Sequence, residues 1–407
     1  MKKYFIAILA VAFVAMFAVS AQAEEKYVAG GFEASGHVMA GGGYEHFTKN
    51  TPNFNATGTN PGPTDNDGIT YAPGSIGKYL GVPPMGYADY FEFFVDEVEL
   101  DLAKSFGENI RLRADLDFGR LASSGYLSNA GFILEQAYAA ANIPIGNGVE
   151  FLLGRFNTPI GFEAVDASEN DTISKSVLAD GLRPTNTTGA KIYYAFSDLV
   201  DLHFYVVNNL YGDTTVKKND VPSLGFRLGF NWGEEGSEST LGVSGLWGAE
   251  SRVSNKHYTY GGDVDLNWWV TESFAIGAEG LFVYSSKLTS VPNVTATGDN
   301  VTVAGGLLNL HYVFSDVWDG TLKAAWAKQF KGSTVAATTS TIVNGMDLMG
   351  GGIRVSTGEV TLAGGYAVAD GAKLKLEARF DMIRPGANTG ISKYYTYGGA
   401  VAFAYDF

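Results

Sequence analysis

The chain contains no cysteine. That excludes a lipid-modified amino-terminal cysteine, a disulfide framework and thiolate metal sites. Beyond its amino-terminal leader it also has no long apolar run. Each later hydrophobic stretch is broken by a charge or a glycine within a few residues, so none supplies the ~20 apolar residues of a membrane-crossing helix. Cations are scarce, with 28 Lys and Arg against 43 Asp and Glu. So acidic a chain repels phosphate backbones, and no nucleic-acid partner is expected. No Pro/Ser-rich linker or charge run divides the sequence, so 24–407 reads as one domain.

The leader is informative. Met1, Lys2 and Lys3 open a short basic region, an apolar run covers 4–19, and Ala21, Gln22 and Ala23 form a small-x-small cleavage site. The run is too short to anchor the chain. Residues 1–23 are expected to be a secretory signal peptide, cut between Ala23 and Glu24.

The rest of the chain alternates. Val401, Phe403, Tyr405 and Phe407 fall on one face of an extended strand, and Ala400, Ala402, Ala404 and Asp406 on the other. The same pattern, greasy on one face and small or polar on the other, recurs along the chain with no helical periodicity between. Candidate strands are 28–47, 97–104, 110–118, 132–143, 148–156, 188–196, 200–210, 224–232, 240–249, 258–270, 274–284, 300–314, 320–330, 346–356, 360–369, 372–384 and 393–407. The predicted connections are alternately short (105–108, 144–147, 197–199, 233–237, 271–273, 315–319) and long (49–88, 157–187, 211–222, 287–299, 331–344). A soluble sandwich has no reason for that rhythm, whereas transmembrane barrels have short periplasmic turns and long outer loops. The expected fold is an all-β, transmembrane, antiparallel up-and-down β-barrel with the greasy faces outward.

Bacterial barrels have an even strand number, and the candidates number one too many. Assigning 346–356 to an outer loop gives about 16 strands. The alternative of about 18 adds a strand near 69–80. The 52 glycines are easier to accept where strands must bend and tilt. Tyr44, Trp232, Tyr258, Tyr260, Trp268, Trp269, Tyr394 and Tyr395 lie near strand ends, where interfacial belts form. Asp65 to Gly68 resembles the start of a calcium loop but lacks the later acidic ligand, so no metal or other cofactor is expected.

Around 16 strands leave an aqueous channel. Its wall is expected to carry charge, best seen in the hairpin spanning 97–118. Sharing an apolar face there pairs Leu102 with Ile110, Leu100 with Leu112, Glu99 with Arg113 and Asp101 with Arg111, with Asp115 and Asp117 on the same polar side. The long 157–187 loop carries Glu163, Asp166, Glu169, Asp171, Lys175 and Arg183. Folded inward, it would set carboxylates against cations and form a charged constriction favouring small hydrated solutes.

The segment from Leu153 to Glu163, with Gly154, Phe156, Thr158, Pro159, Gly161 and Glu163, resembles the signature of the OmpL-like β-barrel porins. Ser174, Lys175 and Ser176 stand where that family has Ser-Arg-Ser. Lys175 keeps a cation there and loses a bidentate fork. Pro184, Thr188 and Gly189 are similar to its Pro-x-x-x-Thr-Gly element, and Glu135 to Tyr138 is also porin-like. Tyr405 and Phe407 resemble the terminal aromatic signal read by the outer-membrane assembly machinery. The resemblance implies residence in the outer membrane of a Gram-negative bacterium and passive diffusion of small hydrophilic solutes and ions. Its partners would be outer-membrane lipid and that machinery. A homotrimer and a monomer both remain open.

Two other functions compete. A structural or adhesive barrel would have a plugged lumen. An outer-membrane hydrolase would need a nucleophile, a base and an orienting group. His37, His46, His203, His257 and His311 sit singly, with no H-x-x-x-H pair, and no catalytic residue is assigned.

Overall fold

In a computed structural model, the described residues are 27–29, 31–47, 89–118, 132–211, 220–250, 258–286, 300–331, 355–385 and 393–407. The strands are β1 (Tyr27–Ala29), β2 (Phe32–Phe47), β3 (Asp89–Phe106), β4 (Ile110–Phe118), β5 (Phe132–Ile143), β6 (Val149–Asn157), β7 (Asn186–Ala195), β8 (Val200–Val207) and β9 (Ser223–Trp232). They continue as β10 (Ser239–Gly248), β11 (Thr259–Thr271), β12 (Phe274–Ser285), β13 (Val301–Ser315), β14 (Trp318–Lys331), β15 (Val355–Ala369), β16 (Ala372–Pro385) and β17 (Tyr394–Asp406). A short helix, α1 (Val177–Gly181), lies between β6 and β7.

From β2 onward each strand pairs antiparallel with the next, and β17 pairs back onto β2, closing a 16-strand barrel. Closure leaves no sheet edge and satisfies the backbone internally. The seam is sealed at the last residue. Phe407 N–H donates to the Gly36 carbonyl at 2.8 Å, and Gly36 N–H donates to the Phe407 carbonyl at 2.9 Å. β1 pairs with the start of β2 across a turn at Gly31, whose φ of +76° suits glycine. The single candidate strand 28–47 is therefore two. Among the described residues, no helix is long and apolar enough to cross a membrane.

Parity is resolved where expected, with one adjustment. β15 runs unbroken from Val355, so Val355 and Ser356 belong to the strand, and Thr357 and Gly358 lie inside it. The remainder of the 346–356 candidate lies outside the described residues, as do 69–80 and the calcium-like Asp65 to Gly68. The barrel closes without them.

The register of the β3–β4 hairpin differs from the sequence expectation. β3 continues to Phe106, and a tight turn at 107–109, with Gly107 at φ +64°, sets Phe106 opposite Ile110. Leu100 therefore faces Leu116 and Leu102 faces Ala114. On the polar side Glu99 faces Asp117, not Arg113, and Asp101 faces Asp115, not Arg111. Placing the turn too early slid the pairing along the strand. Like charges oppose one another where ion pairs were expected.

The two faces separate as alternation requires. On β14, Leu322, Trp326 and Phe330 are exposed, while Thr321, Lys323, Ala325, Ala327 and Gln329 are buried. On β17, Ala400, Ala402 and Ala404 point inward and Phe407 is exposed. Outward aromatics gather at both ends of the wall: Trp318 lies 4.5 Å from Tyr366 near the short turns, and Trp247 stacks on Tyr258 at 5.2 Å near the long loops. Trp232, Tyr260 and Trp268 are exposed in the same way. Trp269 is an exception to the proposed belts. It shares the inward face with Ala275 and meets His311 edge-on at 5.9 Å.

Candidate functional site

The connection 158–185 runs along the inner wall, its neck tied by the motif residues. Thr158 N–H donates to the Thr185 carbonyl at 2.7 Å, and the Thr158 hydroxyl donates to the Pro184 carbonyl. Just below the neck Gly154 and Gly189 are paired across β6 and β7. Gly154 sits at φ +146°, where an added Cβ would lie 2.2 Å from the Ala137 carbonyl oxygen. Gly161, at φ +87°, lets the chain turn inward beside Arg183. The Arg183 guanidinium donates to the Glu163 carbonyl and holds that turn.

From there the loop meets one inward-facing group after another. Phe162 N–H donates to Glu279 of β12 at 2.9 Å. The Glu163 carboxylate accepts from Lys323 of β14 at 2.7 Å and from Ser176 N–H at 2.9 Å. Lys323 is 1% exposed, and its three donors go to Glu163, the Thr172 hydroxyl and the Ser174 carbonyl, each at 2.7 Å. An ammonium has no further donor to offer. Lys375 of β16 is spent on the carbonyls of Ala167, Ser168 and Asn170. Arg379 binds Glu359 at 2.6 Å, Asp381 at 2.8 Å and the Lys175 carbonyl at 2.7 Å. Glu377 accepts from Ile173 N–H at 2.7 Å and Ser174 N–H at 3.0 Å.

Apolar contacts complete the anchorage. Ser176 caps α1, accepting from Ala179 N–H at 3.2 Å. Val177, Leu178 and Leu182 are buried against inward-facing Leu281, Val303 and Leu307. Gly305 makes room for Leu178. Burying such side chains stabilises the loop by about 1.5–3 kcal/mol each. Ala167 and Ile173 pack on the Ala400, Ala402 and Ala404 face of β17. The inner wall is thus not uniformly polar. It is greasy under α1 and small under 167–173, both shaped to the loop.

The remaining predicted residues divide into two groups. Asp171 accepts from Asn309 at 3.1 Å and lies 3.4 Å from His311. Lys175 donates to the Val165 carbonyl. Burial alone would raise the Glu163 carboxyl, but the Lys323 ammonium and the Ser176 N–H more than offset it, and its pKa lies below the usual carboxylate range. Burial and the nearby Glu97 carboxylate push Asp166 up. Burial and Asp166 do the same to Glu169. Away from the loop, Arg113 binds Asp115 at 2.7 Å and reaches Asp101 at 3.4 Å. Arg111 lies near the short turns, 3.6 Å from Glu150. Glu99 and Asp117 sit in an acidic group on β3 and β4. The loop carboxylates were expected to face Lys175, Arg183 or the wall arginines. The buried Glu163 pairs with Lys323, one of three lysines on β14.

With this geometry in place, comparison with known proteins is direct. A family model for "Putative beta-barrel porin-2, OmpL-like" matches residues 31–405. The chain belongs to that family. The family's description is of β-barrel porins, and the closed 16-strand barrel agrees with it. Solved structures with the same fold include the outer-membrane channel DcaP of Acinetobacter baumannii, 13% identical, covering 94% of this chain and 100% of that one, with a TM-score of 0.57. The anion-selective porin from Comamonas acidovorans is 10% identical over 92% of this chain and 99% of its own, with a TM-score of 0.54. OmpF of Salmonella typhi, in complex with daunomycin, is 10% identical over 93% and 98%, with a TM-score of 0.52. Comparison with the curated proteins gives no match.

Proposed function

We propose that this porin is a passive, weakly cation-preferring channel for small hydrophilic solutes and ions in the outer membrane of a Gram-negative bacterium, narrowed by the 158–185 loop. Residues 1–23 serve as the export signal, and 24–407 form the single barrel domain. Tyr405 and Phe407 at the closing seam serve as the assembly signal. The observation that carries the selectivity is the fate of the cations. Lys323, Lys375 and Arg379 are each at most 3% exposed and bonded to the loop or to wall carboxylates. Passing ions therefore meet the half-exposed Asp166 and Asp101 and the exposed Glu169, with Arg113 as the main countercharge. Carboxylate-lined passages favour cations. A trimer form exists for OmpT of Vibrio cholerae, similar in fold at 10% identity and a TM-score of 0.52. An oligomer, trimeric or otherwise, is compatible with the exposed apolar wall.

Purified protein in a planar bilayer is expected to give stepwise currents. In a salt gradient its reversal potential should indicate cation preference at neutral pH. Asp166 and Glu169 are raised above the ordinary carboxylate value, so on acidification they lose charge before ordinary carboxylates do. Cation preference should therefore fall early as the pH drops. Silence at high protein load would favour a structural barrel. Anion preference at neutral pH would overturn the selectivity.

A further inference from the structure

Beside the loop, β3, β4 and β5 converge four carboxylates. One oxygen from each of Glu97, Glu99, Asp117 and Glu135 lies within 4.8 Å of the other three. The backbone dictates this. Glu99 is directly opposite Asp117, Glu97 is on the same face of β3, and a register shift between Asp115 and Leu116 brings Glu135 alongside. Two of the four have identified donors or partners. Glu97 accepts from Ala167 N–H at 2.6 Å and meets His37 Nε2 at 2.8 Å. Glu135 accepts from Asn157 at 2.6 Å. Glu99 is different. It is 1% exposed, and both of its carboxylate oxygens are buried with no hydrogen-bond partner. His37 Nδ1 lies 3.5 Å away, beyond good hydrogen-bonding distance. Asp117 Oδ1 is likewise buried and unmatched.

Burying an ionised carboxylate without a partner costs several kcal/mol. One imidazole cannot neutralise four acids. We propose that this cluster is a divalent-cation site, and that its ion is calcium, with Glu99 and Asp117 as facing ligands and Glu97 and Glu135 completing the protein set. All-oxygen donors select a hard cation. Coordination number selects among hard cations. Calcium takes about six to eight oxygens in a flexible geometry, which suits carboxylates converging from three strands, whereas magnesium demands a near-ideal octahedron and keeps most of its waters. Lumenal water would fill the remaining positions around calcium. The ion would tie β3, β4 and β5 together and, through the Glu97 bond to Ala167, steady the loop. The inference rests on the wall geometry and not on conduction.

The test uses the full mature barrel in detergent, stripped with a chelator and titrated by calorimetry with calcium chloride and, separately, magnesium chloride at low ionic strength. Saturable binding of calcium is expected, at least about tenfold tighter than magnesium. Glu99→Gln and Asp117→Asn should each weaken it by at least about tenfold. Both substitutions preserve shape and remove charge, and heat-modifiable migration confirms that each variant is folded. Asp117→Asn gives an independent reading if Glu99→Gln refolds poorly. Wild-type barrel that takes up no calcium, or calcium uptake unchanged in the folded variants, would overturn the site. Equal affinity for magnesium would overturn the choice of ion.

Discussion

Leu362→Arg is expected to destabilise the folded barrel in lipid vesicles by about 2–4 kcal/mol, read from a urea unfolding titration. Leu362 is in the middle of β15, flanked by Leu322 and Ala378, and is 61% exposed on the outer wall. If that wall faces hydrocarbon, a guanidinium at this depth has no water to solvate it. If the wall faced water, the same substitution would fall within about 0.5 kcal/mol, as surface changes usually do. Phe314→Arg is the matched control. Phe314 is also exposed but lies beside the short β13–β14 turn, where the penalty near the interface falls to about 0–1 kcal/mol. Equal costs at the two positions would refute the depth assignment.

Lys323→Ala is expected to cost about 3–5 kcal/mol and to raise single-channel conductance, because it leaves a buried charge without its partner. Glu163 would keep the Ser176 N–H but lose the ammonium at 2.7 Å. Thr172 and Ser174 would lose the donor that pins the loop to β14. The loop has further anchors at Lys375, Arg379 and the α1 seat, so it should loosen near 163–176 and not leave the wall altogether. Combining Lys323→Met with Glu163→Gln removes both charges. That double variant should cost less than the sum of the single changes. Additive costs, or a conductance unchanged in Lys323→Ala, would show that the pair does not hold the loop.

Much of this architecture was legible in the sequence because a strand's period of two is unambiguous where one face meets hydrocarbon. The terminal alternation of Val401, Phe403, Tyr405 and Phe407 with small residues gave the correct facing of β17. The rhythm of short and long connections gave the topology. What escaped were features that depend on register and on partners distant in sequence. A turn placed two residues early, at 105–108 instead of 107–109, exchanged the ion pairs of Glu99 and Asp101 for opposed carboxylates. The loop was identifiable by its length and motif, but its seat was not. Lys323 is separated from Glu163 by seven intervening strands, β7 to β13, and nothing local distinguishes it from a lysine at a loop edge. Lys375 and Arg379 were visible as alternating charges without any sign that a loop would consume them. The inward apolar patch of Leu281, Val303 and Leu307 broke the polar-inside rule for a reason held elsewhere in the chain, in α1.

The central claim is that water lies inside this barrel and hydrocarbon outside, and the absence of native cysteine allows it to be tested with single thiols. Arg113→Cys, on the half-exposed inner wall, and Leu362→Cys, on the outer wall, would each be reconstituted in lipid vesicles and treated with a small charged maleimide. Fast labelling at position 113 and negligible labelling at 362 is the expected result, with both reactive once the protein is unfolded. Labelling at 362 as fast as at 113 in the folded, membrane-embedded protein would contradict it.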